Sequence, residues 1–205
     1  MSGLGFINGL AQELASDGWS EISCNFDLDG VYTFDLHAVK NIWKGASVLQ
    51  IFVTRCPAYL DNAKLQEYLG LYEIVKKKYL WSLIQGRIHF LCLLSEEGVA
   101  SEAASLVDRY APSPLGYMRG SALFLCLVDL RNLVAYLKVP VLPVGHNKAC
   151  GSVLVRIYKA FSLMRAAPPP VQQPPAAYSC PTCGNTLTFI EQYQRWYCYK
   201  CQKYA

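Results

Sequence analysis

The sequence predicts an α/β protein with a mixed central sheet flanked by helices, followed by a small, separate C-terminal module. Over the first 165 residues, apolar runs of strand length alternate with helical repeats. Ala166–Ala177 follows, with five prolines among twelve uncharged residues, and four of the nine cysteines lie in the last 26 residues. We therefore expect a main domain at residues 1–165, an extended linker at 166–177 and a C-terminal module at 178–205.

The first half of the main domain predicts a helix, a meander of three strands and a longer helix. Apolar residues recur at helical spacing in residues 4–16. Strands are predicted at residues 19–26, 31–38 and 47–54. Asp27-Leu28-Asp29-Gly30 is a hairpin turn by composition. Asp61 can cap the second helix, which is predicted to reach about Trp81.

The second half predicts two further strands, each preceded by a helix. The strands are at residues 87–94 and 121–128, and the helices are at 101–110, 129–138 and 150–164. Because helices separate these strands from their predecessors, we expect both to join the centre of the sheet as parallel crossover units.

Four cysteines near the C terminus have the spacing of a metal site. Cys180 and Cys183 form one C-x-x-C pair, 14 residues intervene, and Cys198 and Cys201 form a second pair. Two such turns direct four sulfurs at one centre. A redox motif would need one pair in a βαβ context, and two disulfides are the other alternative. Paired C-x-x-C turns in so small a module favour a metal staple.

This segment resembles a zinc ribbon, and the resemblance covers residues 178–203 with all four ligand positions filled. It implies Zn²⁺ as the cofactor. Gly184 is placed where such a knuckle requires a positive φ. The apolar residues of 187–190 and the sequence Arg195-Trp196-Tyr197 predict the two strands of a hairpin.

The order of elements in residues 1–165 resembles the restriction-endonuclease-like fold of the PD-(D/E)xK nucleases, a group that includes archaeal Holliday-junction resolvases. That resemblance implies an acidic residue at the end of one central strand and an acid-x-Lys pair on the next. The carboxylates would hold a divalent metal beside the phosphate, and the lysine would help to activate water.

The sequence meets only the first of these requirements. Asp35, in T-F-D-L-H, matches the first acid, but the next strand has Gln50-Ile51-Phe52-Val53-Thr54 in place of acid-x-Lys. Arg55 follows, and a guanidinium cannot act as a general base at ordinary pH. We therefore expect a nuclease-like domain without catalysis. An alternative metal cluster would join Asp35 to Glu21, Asp27 or Asp29, although acids in such a turn more often form the turn itself.

Candidate contact residues are aromatic or cationic. In the ribbon they are Tyr193, Arg195, Trp196, Tyr197, Tyr199 and Lys200. These side chains can stack on bases or bind a protein groove, and Trp196 and Tyr197 can equally cover the core of the ribbon. Lys76, Lys77 and Lys78 end the long helix, where they complement its dipole or form a patch for phosphates.

Composition restricts the cellular setting. Hydrophobic residues make up 53% of the chain, yet the most apolar run, Ala122–Val128, is followed at once by Asp129 and is too short to span a membrane. The N terminus lacks the basic region of a signal peptide. We expect a cytoplasmic protein with no membrane partner. Five further cysteines are expected to be buried thiols, with an internal disulfide as the alternative: Cys24, Cys56, Cys92, Cys126 and Cys150.

The expected function is that of a non-enzymatic accessory protein in transcription, translation or DNA repair, since the resemblance is to ribbons of archaeal proteins in these processes. The net charge is +4, half of it in residues 178–205, which is compatible with nucleic acid. The ribbon would contact nucleic acid or a nucleoprotein complex, and the main domain would dock a protein partner. The alternatives are a metal-dependent nuclease with a migrated site around Asp35 and a purely protein-interaction module.

Overall fold

The computed structural model describes residues 2–42, 47–79, 86–110, 121–139, 144–166, 179–190 and 195–204. Contacts divide the chain into two compact units, Met1–Ala166 and Ala167–Ala205. The predicted linker beyond Ala166 lies outside the described residues, as do Tyr193 and Trp81. None of the described helices combines the length and the apolar composition that a membrane crossing requires.

The first unit is a mixed sheet with helices on both faces. In chain order its elements are α1 (Gly3–Ser16), β1 (Ser20–Leu28), β2 (Tyr32–Ile42), β3 (Ser47–Cys56), α2 (Asn62–Tyr79), β4 (Gly86–Ser95), α3 (Ser101–Leu106), β5 (Ser121–Asp129), β6 (Val134–Leu137) and α4 (Val144–Ala166). The described strands are ordered β1-β2-β3-β4-β5-β6. Strands β3, β4 and β5 are parallel, and the other neighbours are antiparallel. The predicted fold class and the two parallel crossovers are confirmed.

The sheet is the middle of three layers. In β3, Ile51 and Val53 pack in one core with residues of α1 and α4, whereas Phe52 packs in a second core with residues of α2 and α3. The central strands are therefore buried on both faces, which explains why their sequences are continuous apolar runs rather than alternating ones.

The β1–β2 hairpin departs from regular alternation partway along its length. Asn25 has a φ of 55°. Phe34 and Leu36 are only two residues apart in β2, yet they pack in opposite cores. Beyond this irregularity the hairpin packs against the α2 side of the sheet, where Leu28 and Phe34 are buried.

A hairpin turn forms where one was predicted, but β1 extends to Leu28, so the turn spans residues 28–31 rather than 27–30. Asp29 and Gly30 have φ values of 53° and 70°, the pair of left-handed conformations that a type I′ turn needs. The Asp27 carboxylate accepts a hydrogen bond of 2.8 Å from the Gly30 N–H. Asp29 forms an ion pair with Lys78 at the end of α2. Both acids therefore have structural partners.

The helix predicted directly after β5 is wrong, because the chain turns there and returns as β6. Asp129 is fully buried. Its carboxylate accepts hydrogen bonds from the Val99 N–H at 3.0 Å and from the N–H and side-chain amide of Asn132 at 2.8 and 2.9 Å. Leu133 then has a φ of 56°. These local bonds compete with the first turn of a helix and fix a hairpin instead.

Three smaller expectations need revision or refinement. Helix α4 begins at Val144, earlier than the predicted start at Cys150. The helix expected at residues 101–110 ends at Leu106 and continues as a 3₁₀ turn. Cys24 is exposed on the edge strand β1 rather than buried, while the other four cysteines of the first unit are buried thiols.

His37 is a buried aromatic residue of β2 whose protonation opposes folding. Its ring stacks on Phe26 with centroids 4.1 Å apart and lies 4.8 Å from the ring of Phe52. The Nε2 atom is buried without a hydrogen-bond partner. Burial lowers the pKa of His37 from 6.5 to about 4, because the charged form loses its hydration.

We expect the free energy of unfolding to fall as pH decreases from 6.5 to about 4, since the unfolded chain takes up the His37 proton first. The pKa shift of His37 corresponds to a loss of about 3 kcal/mol in the free energy of unfolding. His37→Phe should keep the aromatic stack and remove the His37 contribution to this pH dependence. Urea unfolding followed by circular dichroism across that pH range tests it. Equal pH dependence in the wild type and the variant would contradict the assignment, because other titrating groups are common to both.

Candidate metal centre and its aromatic face

The second unit is a small antiparallel sheet. Its strands are β7 (Thr188–Ile190), β8 (Arg195–Cys198) and β9 (Lys203–Tyr204), in the order β7-β8-β9. Strand β8 pairs with both neighbours, and Tyr197 lies opposite Thr188 on one side and Tyr204 on the other. One C-x-x-C turn precedes β7, and the other connects β8 to β9, with Cys198 as the last residue of β8. The hairpin predicted for this segment is present.

The four predicted ligands converge on one point. The sulfurs of Cys180, Cys183, Cys198 and Cys201 all lie within 4.8 Å of one another. The Cys180 and Cys201 sulfurs are 3.9 Å apart, and those of Cys183 and Cys198 are 3.5 Å apart. A tetrahedron of sulfurs about 2.3 Å from a central ion has edges of about 3.8 Å, whereas a disulfide bond is about 2.05 Å long. The cluster can therefore hold a metal ion.

Both C-x-x-C turns share one backbone feature. The residue after the second cysteine of each turn has a left-handed φ, 72° for Gly184 and 55° for Gln202. In the first turn, the Gly184 N–H donates to the Cys180 carbonyl at 2.8 Å. In the second, the Cys201 N–H donates to the Cys198 sulfur at 3.4 Å. The positive φ expected of Gly184 is confirmed, whereas the sequence does not reveal the strained conformation of Gln202.

The thiols of the cluster differ in acidity. Backbone N–H groups of Thr182 and Cys183 donate to the Cys180 sulfur and lower its pKa to about 6. A hydrogen bond with the Cys183 side chain favours the protonated form of Cys201 and raises its pKa to about 12. Four sulfurs this close cannot all ionise unless a cation compensates their charge, and a bound divalent ion would provide that compensation.

The core of the ribbon consists mainly of the cysteines themselves. Among the described residues of this unit, the buried apolar side chains are Cys180, Leu187 and Cys198. Trp196 is partly buried and packs against them. This contact favours the interpretation in which Trp196 covers the core, and it makes Trp196 a weaker candidate for direct contact with a partner.

Three tyrosines form a cluster, which we call the tyrosine face: Tyr197, Tyr199 and Tyr204. The Tyr197 ring centroid lies 5.1 Å from that of Tyr199 and 4.9 Å from that of Tyr204. Tyr199 is 67% exposed and Tyr204 is 48% exposed. Tyr204 is not among the residues that the sequence singles out, because the strand that places it beside Tyr197 contains only two residues.

Charge around the tyrosine face is entirely positive in the part of the ribbon that the structure describes. Residues 179–190 and 195–204 contain no Asp or Glu, whereas Arg195, Lys200 and Lys203 are exposed. The predicted contact residues Arg195, Tyr197, Tyr199 and Lys200 therefore belong to one small unit with a net positive, aromatic surface.

The other predicted patch, Lys76, Lys77 and Lys78, belongs to the first unit. These residues form the last turn of α2. Lys76 lies 3.4 Å from a Glu73 carboxylate oxygen, and Lys78 pairs with Asp29. Lys77 is exposed. Two of the three ammonium groups therefore have carboxylate partners within the domain.

Asp35 has a structural partner in the next strand. The backbone pairing of β2 with β3 ends at Leu36 and Val53. One carboxylate oxygen of Asp35 then accepts the Arg55 N–H at 2.7 Å, and the other accepts the Arg55 Nε–H at 2.7 Å. The side chain thus continues the ladder where the backbone stops, and Arg55 supplies the positive charge beside it.

We expect Asp35→Ala to lower the free energy of unfolding by about 1–3 kcal/mol, because it removes two charge-assisted hydrogen bonds at the end of the β2–β3 ladder. Glu67→Gln is the matched control, since the pair of Glu67 with Lys64 lies at the surface, with Glu67 62% exposed, and should contribute little. Chemical unfolding of both variants measures the difference. Equal stabilities would show that the Asp35–Arg55 contact does not stabilise the fold.

We expect Gly184→Ala to weaken metal binding roughly 5- to 30-fold, since a left-handed conformation costs a side-chain-bearing residue about 1–2 kcal/mol. A Cβ at Gly184 meets nothing within 4 Å, so the backbone alone is responsible. Gln202→Gly, the matched substitution in the other turn, should leave binding unchanged or strengthen it. Titration of the full-length protein with Co²⁺ or Zn²⁺ tests both. Weaker binding by Gln202→Gly would contradict this account.

The chain was compared with protein-family models, with curated proteins and with solved structures, and none of them matches it. The case for its function therefore depends on the geometry of its own residues. That geometry comprises a four-cysteine centre able to hold a metal ion, a tyrosine face with surrounding cations, and an Asp35 carboxylate engaged by Arg55.

Proposed function

We propose that the protein is a non-enzymatic, zinc-binding accessory protein of nucleic-acid processing, whose ribbon contacts nucleic acid or a nucleic-acid-bound complex. The observation that carries this proposal is the tyrosine face, in which two exposed aromatic rings lie on a unit whose described residues bear only positive charge. Aromatic faces beside cations suit bases and phosphates together.

Zn²⁺ is the proposed ion because four thiolates in a closed tetrahedral set are a usual structural zinc site. The spacing of the sulfurs supports it, since the 3.5 and 3.9 Å separations bracket the edge of a ZnS₄ tetrahedron. In this proposal the ion has no open coordination position. It holds the two C-x-x-C turns and the tyrosine face in place, and it takes no part in a reaction.

The first unit is proposed to be a restriction-endonuclease-like domain that has become a docking platform for a protein partner. The succession of α1, the β1–β2–β3 meander, α2 and a β4 parallel to β3 supports this relationship. The pairing of Asp35 with Arg55 supports the loss of catalysis, because the carboxylate that would bind a catalytic metal is already neutralised.

We also propose that the protein works in the cytoplasm. None of the nine cysteines, all of which lie in the described residues, forms a disulfide, and four of the five in the first unit are buried. Cysteines persist as thiols in a reducing compartment, whereas an oxidising one favours disulfides.

The proposal is tested by incubating the full-length protein with labelled single- and double-stranded DNA and RNA over a salt series, with and without Mg²⁺ or Mn²⁺. We expect binding without cleavage, and loss of binding on deletion of residues 167–205. With three cations near the tyrosine face, the logarithm of the single-strand association constant should fall with that of salt with a slope of about −2.

Two outcomes would contradict this proposal, each in favour of a different function. Cleavage that needs the divalent ion and disappears in Asp35→Ala would identify a nuclease with a migrated site. Absence of binding to all four nucleic acids at low salt would leave a protein-interaction module, in which the ribbon is only a structural element.

A further inference from the structure

We infer that the tyrosine face binds unpaired bases of a single-stranded nucleic acid by stacking, with Tyr199 and Tyr204 as the stacking rings. This inference rests on the proposed function and specifies which form of nucleic acid the ribbon takes. Three features of the described residues support it: the arrangement of the rings, the charge around them and the small size of the strands.

The rings are arranged as two exposed stacking surfaces around one support. Tyr197 is half-buried, and the planes of Tyr199 and Tyr204 are inclined to its plane by 84° and 62°. Edge-to-face contacts of this kind hold aromatic rings in defined orientations. Tyr199 and Tyr204 are held against Tyr197 while 67% and 48% of their surfaces stay exposed. The exposed surfaces of these two rings are therefore accessible to a flat aromatic ligand.

The charges beside the rings select a polyanion. Lys200 lies in the turn just after Tyr199, and Lys203 immediately precedes Tyr204. Arg195 begins the strand that contains Tyr197. With no acidic side chain among the described ribbon residues, the face is complementary to a chain that carries both bases and phosphates. An uncharged or basic protein groove would leave these cations without partners.

Single-stranded and double-stranded nucleic acids expose different parts of their bases, and this difference favours the single strand as the ligand. Base pairing in a duplex hides the flat faces of the bases and presents only their edges in the grooves. Reading those edges takes a helix or a long two-stranded ribbon, but β8 and β9 contain only four and two residues. A single strand exposes the base faces, and each base stacked on an aromatic side chain strengthens binding roughly 5- to 150-fold.

The inference is tested with the full-length, zinc-loaded protein and three ligands of equal length: a single-stranded oligonucleotide, its duplex and an abasic oligonucleotide with the same phosphates. Fluorescence anisotropy of the labelled ligands gives the affinities. The variants are Tyr199→Leu, Tyr199→Trp and Lys200→Gln. Tyr59→Leu is the matched control, since Tyr59 is 49% exposed but belongs to the first unit. Zinc content verifies that each variant keeps its ribbon.

The expected result is a preference for the single strand over both the duplex and the abasic ligand. Tyr199→Leu should weaken single-strand binding roughly 5-fold or more. Tyr199→Trp should keep the single-strand affinity close to that of the wild type, because it retains a stacking ring. Tyr59→Leu should leave that affinity unchanged. Lys200→Gln should weaken the single strand and the abasic ligand by the same factor, because it removes a phosphate contact common to both.

Equal affinity for the abasic and base-containing strands would overturn the inference, as would a preference for duplex or an unchanged affinity in Tyr199→Leu. In each of these cases the ribbon still binds nucleic acid, so the proposed function survives without the stacking mechanism. Absence of binding to every ligand would overturn the inference together with the proposed function, which distinguishes the two failures.

Discussion

Convergence of four cysteine sulfurs is the constraint on which the C-terminal unit depends. Its described residues bury only Cys180, Leu187 and Cys198 as apolar side chains, and two of these are members of the cluster. So small an apolar core cannot offset the entropy of ordering the segment, which is why units of this size need a covalent or metal staple. The orientation of Tyr197 and its two neighbouring rings is set by short strands that the same cluster holds together. In this account, metal binding and the ordering of the contact surface are therefore thermodynamically coupled.

The first unit uses its conspicuous polar residues for structure. At the carboxyl ends of the parallel strands, where α/β folds usually place their sites, Ser95 and Asp129 are fully buried. The Ser95 hydroxyl bonds to the backbone of Ala58 and Gly98, and Asp129 fixes the turn after β5. Asp35 continues the β2–β3 ladder through Arg55. Each of these groups holds a connection or a strand end and therefore has a structural role.

Much of the fold could be predicted from sequence because its strongest signals are local or periodic. Continuous apolar runs marked β3, β4 and β5, and the spacing of the cysteines marked the metal cluster. Strand β6 was not predicted, because the burial of Asp129 and its hydrogen bonds to Asn132 override the helical pattern of the segment. Tyr204 was missed because no periodicity can reveal a strand of two residues. Asp35 lies between Phe34 and Leu36, where β2 changes from one core to the other. Sequence periodicity does not reveal this change, so the pairing of Asp35 with Arg55 could not be predicted.

The most direct test of the central claim is nuclear magnetic resonance of the full-length, zinc-loaded protein during titration with a short single-stranded oligonucleotide. The account predicts that chemical-shift changes concentrate on the aromatic rings of Tyr199 and Tyr204 and on neighbouring amides such as that of Lys200, and that chelation of the metal abolishes them. Changes confined to residues 1–166, or changes that persist after the metal is removed, would contradict the claim that the four-cysteine centre holds the surface that contacts nucleic acid.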